Sequence, residues 1–211
     1  MEKRNIAISL PATGEDEWQA VREPLLSGWL TQGPKVAEFE KQFAKRHQVN
    51  HALAVTSCTT GLHLILAAME IGPGDEVIVP AFTWVATANV VLHCGATPVF
   101  VDVCKKTFNM DPAQILKKVT KKTKAIIPVH LFGLCADIDD IKSIIPTHIK
   151  IIEDAACAVG ASYNGKWAGS LGDAASFSFH PRKSITTGEG GMVTTNNTKL
   201  AQLMKQMRNH G

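Results

Sequence analysis

The stretch "HALAVTSCTTGLHLILAAMEIGPGDEVIVP", residues 51–80, indicates the fold class of this 211-residue chain. A short apolar run at 51–56 leads into an apolar helix that hydroxyl residues at 57–60 can cap and that Gly72 would end. A second apolar run follows at 75–80. Apolar strands without polar alternation, joined by a helix, are typical of a parallel sheet covered on both faces.

The same alternation of helix and strand continues on both sides of this unit. Two amphipathic helices precede it, and the second carries Val36, Phe39 and Phe43 on one face. The chain is therefore predicted to be an α/β protein with a mostly parallel central sheet and helices on both faces. Further strands are predicted at 97–103, 124–130, 149–154, 173–180 and 190–196, and further helices at 83–95, 111–120, 137–145 and 198–211.

Composition excludes several classes of function. The formal net charge is only +3 and no dense basic run occurs, so the sequence does not indicate nucleic-acid binding. No window approaches the length of a membrane span, and the N-terminal apolar run is too short for a signal peptide. The five cysteines are odd in number and form no CxxC pair, which favours a reducing, cytoplasmic location and predicts no metal site.

In open α/β sheets, ligands bind beyond the carboxyl ends of the strands. The segment Ser57–Gly61 follows the first strand and is either a plain helix cap or an anion site made of free N–H groups and hydroxyls. Trp84 follows the second strand and is either a core tryptophan or a flat face for a planar ring. Glu153 and Asp154 end a later strand and must point to opposite faces, so one can meet a ligand while the other is structural.

The stretch "SFSFHPRKSITTGEGG", residues 176–191, adds a lysine just beyond the end of an apolar strand. A solvated turn lysine is the commoner reason for such a residue. An anion site, an aromatic ring, a carboxylate and a lysine at strand ends are together the groups that bind pyridoxal 5′-phosphate (PLP). The combination therefore predicts a PLP site that contains Lys183.

Longer motifs strengthen this interpretation. The sequence resembles the DegT/DnrJ/EryC1/StrS family of PLP-dependent nucleotide-sugar aminotransferases, which have the aspartate-aminotransferase-like fold. The resemblance covers nearly the whole chain. The matching stretches are "SGWLTQGPKVAEFEKQFA", "TSCTTGLHLILAAMEIGPGDEVIVPAFTWVATAN", "GATPVFVDV", "PVHLFG", "IIEDAACAVGA" and "FSFHPRKSITTGEGGMVTT".

The resemblance implies a role for each candidate residue. Lys183 would form the Schiff base with the cofactor, Asp154 would pair with the pyridine nitrogen, and Trp84 would stack on the ring. Phosphate contacts would come from Ser57, Cys58, Thr59 and Ser178. Cys157 stands where the family often has Gln or His beside the ring hydroxyl, and Cys58 stands where it often has glycine.

The resemblance also implies the reaction: transamination of a nucleotide-linked keto sugar with glutamate as amino donor, in a homodimer. Relatives with His in place of the lysine perform dehydration, so Lys183 favours amino transfer. We divide the chain into an N-terminal helical segment, 1–34, and a PLP-binding large domain, 35–211, that is incomplete at its C-terminus and lacks the small domain of the family. A PLP-binding remnant without turnover and another PLP enzyme of the same fold are the alternatives.

Overall fold

The computed structural model describes residue 7 and residues 9–210. Its elements alternate along the chain as the apolar periodicity predicts. The helices are α1 (Glu15–Ser27), α2 (Pro34–His47), α3 (Cys58–Ala68), α4 (Ala86–His93), α5 (Pro112–Ile115), α6 (Ile138–Ile144) and α7 (Thr198–Met207). The strands are β1 (His51–Val55), β2 (Glu76–Pro80), β3 (Thr97–Val101), β4 (Thr123–Ile126), β5 (Lys150–Asp154), β6 (Ser162–Tyr163), β7 (Lys166–Trp167), β8 (Ala174–Ser178) and β9 (Gly191–Thr195).

The central sheet has seven strands in the order β1-β9-β8-β5-β4-β2-β3. Every pairing in it is parallel except those of β9, which runs antiparallel to both of its neighbours. The mostly parallel sheet is therefore confirmed. Strands β1 and β2 are consecutive strands along the chain but lie far apart in the sheet. Residues 179–190 connect the carboxyl end of β8 to the start of β9.

Helices cover both faces of the sheet, as predicted. Two separate apolar clusters lie on opposite faces of the sheet. Consecutive residues of a strand enter different clusters, as Ile151 and Ile152 of β5 do. One cluster includes Phe43 of α2 together with residues of α5 and α6, and the other includes Leu62 of α3 together with residues of α4 and α7. Helix α1 has no buried residue.

Several predicted helices, among them α3 and α5, are longer in the sequence interpretation than in the structure. Helix α3 ends at Ala68 instead of reaching Gly72, because Glu70 adopts a left-handed conformation with φ of 57°. The backbone N–H of Ile71 then donates to the carbonyl oxygen of Leu66 at 3.0 Å, which closes the helix with a Schellman-type bond. The interpretation of Gly72 as the stop signal was wrong, since a non-glycine residue takes this role.

The helix predicted at 111–120 is confined to α5, Pro112–Ile115. Its start is as expected, with Asp111 as the N-cap residue: the carboxylate accepts a hydrogen bond from the N–H of Ala113 at 3.0 Å. The predicted extension was wrong, because the residues that follow form turns.

A short hairpin of β6 and β7 was not predicted. Its turn is formed by Asn164 and Gly165, both with positive φ (49° and 76°), as two-residue hairpin turns require. The Asn-Gly pair was therefore a readable signal. This hairpin leads directly into the loop that contacts the end of β5.

The carboxylate of Glu153 is fully buried and holds this loop. It accepts backbone hydrogen bonds from Gly169 at 2.7 Å, Leu171 at 2.8 Å and Gly172 at 2.7 Å, and its fourth partner is His130 Nε2 at 2.8 Å. Burying a carboxylate is costly unless hydrogen bonds replace its hydration. Four donors meet that requirement, so Glu153 is the structural member of the carboxylate pair.

The buried ring of His130 is oriented by its second nitrogen. Its Nδ1 lies 3.1 Å from the backbone N–H of Ala136, and a backbone N–H can only donate. Nε2 therefore carries the ring hydrogen and donates it to Glu153. This places His130 in the support of the fold.

We predict that Glu153→Gln lowers the free energy of unfolding by about 2–4 kcal/mol. The new amide NH₂ would be a donor that points at N–H donors, which would then lack the acceptor that the carboxylate oxygen provides. Urea unfolding followed by far-UV circular dichroism measures the change. Glu38→Gln, on the exposed face of α2, is the matched control and is expected to change stability by less than about 0.5 kcal/mol. Equal stability of the two variants would contradict the structural role of Glu153.

Candidate active site

Two adjoining cavities of about 400 Å³ and about 290 Å³ lie at the carboxyl ends of the parallel strands. Both are lined by Trp84, Asp154, Ala156 and Lys183, so they form one continuous cleft. All eight residues selected from the sequence line one cavity or the other: Ser57, Cys58, Thr59, Trp84, Asp154, Cys157, Ser178 and Lys183. The roles assigned to them by resemblance stay predictions, but the fold brings the residues together.

The start of helix α3 forms one end of the larger cavity. Ser57 is the N-cap residue, and its hydroxyl accepts a hydrogen bond from the N–H of Thr60 at 3.1 Å. The N–H groups of Cys58 and Thr59 belong to the first turn, which has no intrahelical acceptors. Together with the hydroxyl of Ser178 on the cavity wall, they offer an anion site.

The carboxylate of Asp154 lies between the two cavities and is buried. One oxygen accepts from the hydroxyl of Thr87 at 2.8 Å, and the other accepts from the N–H of Ala156 at 3.2 Å. Burial raises the pKa of Asp154, and these two hydrogen bonds oppose the rise only in part. The carboxylate is thus held in place but incompletely compensated for its lost hydration.

Thr87 was missed by the sequence interpretation. Its hydroxyl lies 2.8 Å from that of Thr83 and donates to Asp154, so it accepts the hydrogen of Thr83. The available signal was the pair of threonines four residues apart, because this spacing places two side chains on one side of a helical turn.

Cys58 directs its side chain towards the sheet, where only 7% of the residue is exposed. Burial raises the pKa of its thiol well above the ordinary value, so the sulfur carries a hydrogen. That hydrogen faces the carbonyl oxygen of Ser176 at 3.4 Å and a carboxylate oxygen of Asp154 at 3.8 Å. The bulk added relative to glycine is therefore accommodated between α3 and β8.

Lys183 and Cys157 are in direct contact. The Nζ of Lys183 donates a hydrogen bond to the sulfur of Cys157, with 3.1 Å between the two atoms. The position beside the cofactor's ring hydroxyl, which the resemblance implies for Cys157, stays a prediction. In the structure, the sulfur accepts a hydrogen bond from the lysine.

Trp84 lies between β2 and α4 and is 76% exposed. The alternative of a core tryptophan is therefore wrong. The ring lines both cavities, in a position from which it can cover a planar ligand.

A larger cavity of about 650 Å³ lies on another side of the start of α3, lined by residues that include Val36, His63 and Arg208. None of the eight candidate residues lines it, so its size alone does not identify the reactive site. Within the described part of the chain, no cluster of His, Cys, Asp or Glu is suited to bind a metal ion. No described helix is both long and apolar enough to span a bilayer.

Comparison with known proteins identifies the class. Residues 11–211 match the model of the DegT/DnrJ/EryC1/StrS aminotransferase family. Since the match covers almost the whole chain, the protein belongs to this family.

Individual relatives agree with this assignment. The chain is 50% identical over 208 residues to the GDP-perosamine synthase of Caulobacter vibrioides, covering 98% of the chain and 56% of the relative. It is 47% identical over 214 residues to the spore coat polysaccharide biosynthesis protein SpsC of Bacillus subtilis, covering 100% of the chain and 55% of the relative. The chain thus spans about half the length of the curated relatives it matches.

A solved structure confirms the architecture. The fold superposes with a TM-score of 0.94 on GDP-4-keto-6-deoxymannose-3-dehydratase with a trapped PLP–glutamate geminal diamine, at 33% identity. The match covers 98% of this chain and 55% of that chain. The predicted large-domain fold of PLP aminotransferases is therefore confirmed.

The residues of the cleft fit PLP on the basis of their own chemistry. Among the residues that the structure describes, Asp154 is a buried carboxylate in no ion pair, and it faces a cavity. A cationic N–H partner would stabilise such a carboxylate, and a protonated pyridine nitrogen is one. A lysine amine and an anion site line the same space, as a phosphorylated aldehyde requires.

We predict that Asp154→Asn raises the Tm of the cofactor-free chain by a few degrees. The folded-state pKa of Asp154 lies above its unfolded value, so ionising this group at neutral pH opposes folding, and its cost grows as pH rises through that interval. A gain of about 1 kcal/mol corresponds to roughly 2–4 °C for a chain of this size. Differential scanning calorimetry at pH 7.5 measures it, with Asp173→Asn, which removes an exposed ion pair with Lys150, as the control. A lower Tm for Asp154→Asn would contradict the prediction that the ionised Asp154 carboxylate destabilises the folded chain.

Proposed function

We propose that this chain is the PLP-binding part of an aminotransferase that converts a nucleotide-linked keto sugar to an amino sugar, with glutamate as amino donor. One observation carries the proposal. Lys183, after β8, and Asp154, at the end of β5, line the same two cavities at one edge of the sheet. Family membership and the polysaccharide and perosamine names of two relatives support the sugar substrate.

When bound, the cofactor supplies an aldehyde that condenses with amines and a protonated ring that withdraws electrons from the adjacent carbon. Asp154 would accept a hydrogen bond from the ring nitrogen and keep that nitrogen protonated. Thr87 and Ala156 orient the carboxylate for this contact, since each oxygen of Asp154 already has one of them as donor. The N–H groups of Cys58 and Thr59 and the hydroxyl of Ser178 would bind the phosphate.

Lys183 would perform two tasks. Its amine would hold the cofactor covalently in the resting enzyme, and once displaced by the amino donor it would move a proton between the substrate α-carbon and the cofactor. A flexible primary amine suits both tasks, because the same nitrogen forms the bond and then acts as the base. Cys157 gives the free amine a hydrogen-bond acceptor at 3.1 Å.

Further properties belong to the same proposal. The activity is expected of a homodimer in the cytoplasm, in the biosynthesis of cell-surface or secondary-metabolite sugars. The described part of residues 1–34 would form a helical segment apart from the PLP-binding domain at 35–211, in keeping with the absence of buried residues in α1. Residues 1–6, 8 and 211, which the same division includes, lie outside the described residues.

Borohydride reduction of the chain incubated with PLP tests the attachment. We predict that peptide mapping finds the reduced adduct on Lys183, and that Lys183→Arg abolishes it while Lys166→Arg, at the start of β7, retains it. An adduct of equal yield in Lys183→Arg would contradict the proposed attachment site.

Amino transfer tests the reaction itself. With glutamate and GDP-4-keto-6-deoxymannose as the probe, we expect 2-oxoglutarate to form in proportion to the sugar consumed, and Lys183→Arg to lower the rate at least about 100-fold. Lys166→Arg is expected to keep the rate. Trapped PLP without any amino transfer would favour the alternative of a binding remnant and contradict the proposed activity.

A further inference from the structure

The contact between Lys183 and Cys157 places a primary amine directly against a thiol. The two side chains line the cavity of about 290 Å³, and both residues are half-buried, so small solutes can reach them. The 3.1 Å between Nζ and Sγ is short for a hydrogen bond to sulfur. A bond between these two atoms would need only a small side-chain movement.

Both backbones are fixed by hydrogen-bonded turns. Cys157 lies within a turn in which the N–H of Ala158 donates to the carbonyl oxygen of Ala155 at 2.9 Å. Its own carbonyl oxygen packs against Gly133, where an added Cβ would lie only 3.2 Å away. The N–H of Lys183 donates to the carbonyl oxygen of His180 at 2.9 Å. The two turns therefore hold the Lys183 nitrogen and the Cys157 sulfur close to each other in the folded chain.

We propose that Cys157 and Lys183 form a peroxide-sensitive modification site that closes as a sulfenamide cross-link. In the first step, the Cys157 thiol loses two electrons to hydrogen peroxide, giving a sulfenic acid and one water. In the second step, the Lys183 amine attacks the sulfur, an S–N bond forms, the S–O bond breaks, and hydroxide leaves with the amine proton as a second water. Nitrogen keeps its oxidation state, and the peroxide is the sole oxidant.

The other cysteines have different surroundings. Cys58 is buried and its thiol faces Asp154 and Ser176, which offer no amine. Cys135 is buried as well. In the hydrogen bonds of the described residues, Cys157 is the cysteine that meets a lysine nitrogen. The cross-link is therefore specific to this pair.

The cross-link would block the amine on which cofactor attachment depends. Oxidised chain could not bind PLP through Lys183, and chain already carrying PLP on Lys183 would have no free amine to close the bridge. The expected protection of Lys183 by bound PLP rests on the proposed function, whereas the cross-link itself does not. Excess dithiothreitol would open the S–N bond, restore amine and thiol, and become its cyclic disulfide.

The test uses the 211-residue chain, freed of PLP with hydroxylamine and dialysed, then treated with hydrogen peroxide. We expect a tryptic peptide that joins the Cys157 and Lys183 segments, lacks cleavage after Lys183, and has lost two hydrogen atoms relative to its parts. Dithiothreitol should abolish the joined peptide. Cys157→Ser, Cys157→Ala and Lys183→Arg should each abolish it too, while Cys94→Ser should retain it.

A peptide map in which peroxide converts Cys157 only to sulfinic or sulfonic acid, or to a disulfide, would overturn the proposal. So would a joined peptide of equal yield in Lys183→Arg. A parallel sample saturated with PLP separates the two proposals: loss of most of the joined peptide supports attachment at Lys183. An undiminished joined peptide in that sample would contradict the attachment and leave the cross-link established.

Discussion

Side chains of a β-strand alternate between its two faces, and the site depends on this constraint at the end of β5. Glu153 and Asp154 are consecutive, so one carboxylate must enter each layer of the molecule. Glu153 meets four donors that hold a loop and the ring of His130. Asp154 meets fewer donors and faces the cleft. Glu153 thus stabilises the fold, while its neighbour Asp154 can still accept a hydrogen bond from a ligand.

Much of the fold was predictable because its elements are long and strongly apolar. The sequence at 51–80 identifies strand, helix and strand, and the structure keeps all three within a few residues. The helix ends were less predictable. Glu70 takes a left-handed conformation that residues other than glycine rarely adopt, so its residue type gave no signal for the end of α3. The strand order was not predictable either. Local periodicity gives no sign that four other strands lie between β1 and β2 in the sheet.

The candidate site was predictable as a set, because the strand-end rule and the family motifs select the same positions. What the sequence could not supply was the direction of individual hydrogen bonds. Thr87 reaches Asp154 from a neighbouring helix, a contact that depends on how α4 packs on the sheet. Cys157 accepts from Lys183 because two separate turns bring their side chains together, across 26 positions of sequence.

The antiparallel course of β9 has a mechanical consequence for the segment that carries Lys183. Residues 179–190 leave and rejoin the same sheet edge, where Ser178 pairs with Gly191 and the N–H of Phe179 donates to Gly190. Gly191 has no room for a side chain, because a Cβ there would lie 2.7 Å from the backbone nitrogen of Cys58. The segment is therefore anchored at both of its ends, and this anchoring holds Lys183 against the cavities that it lines.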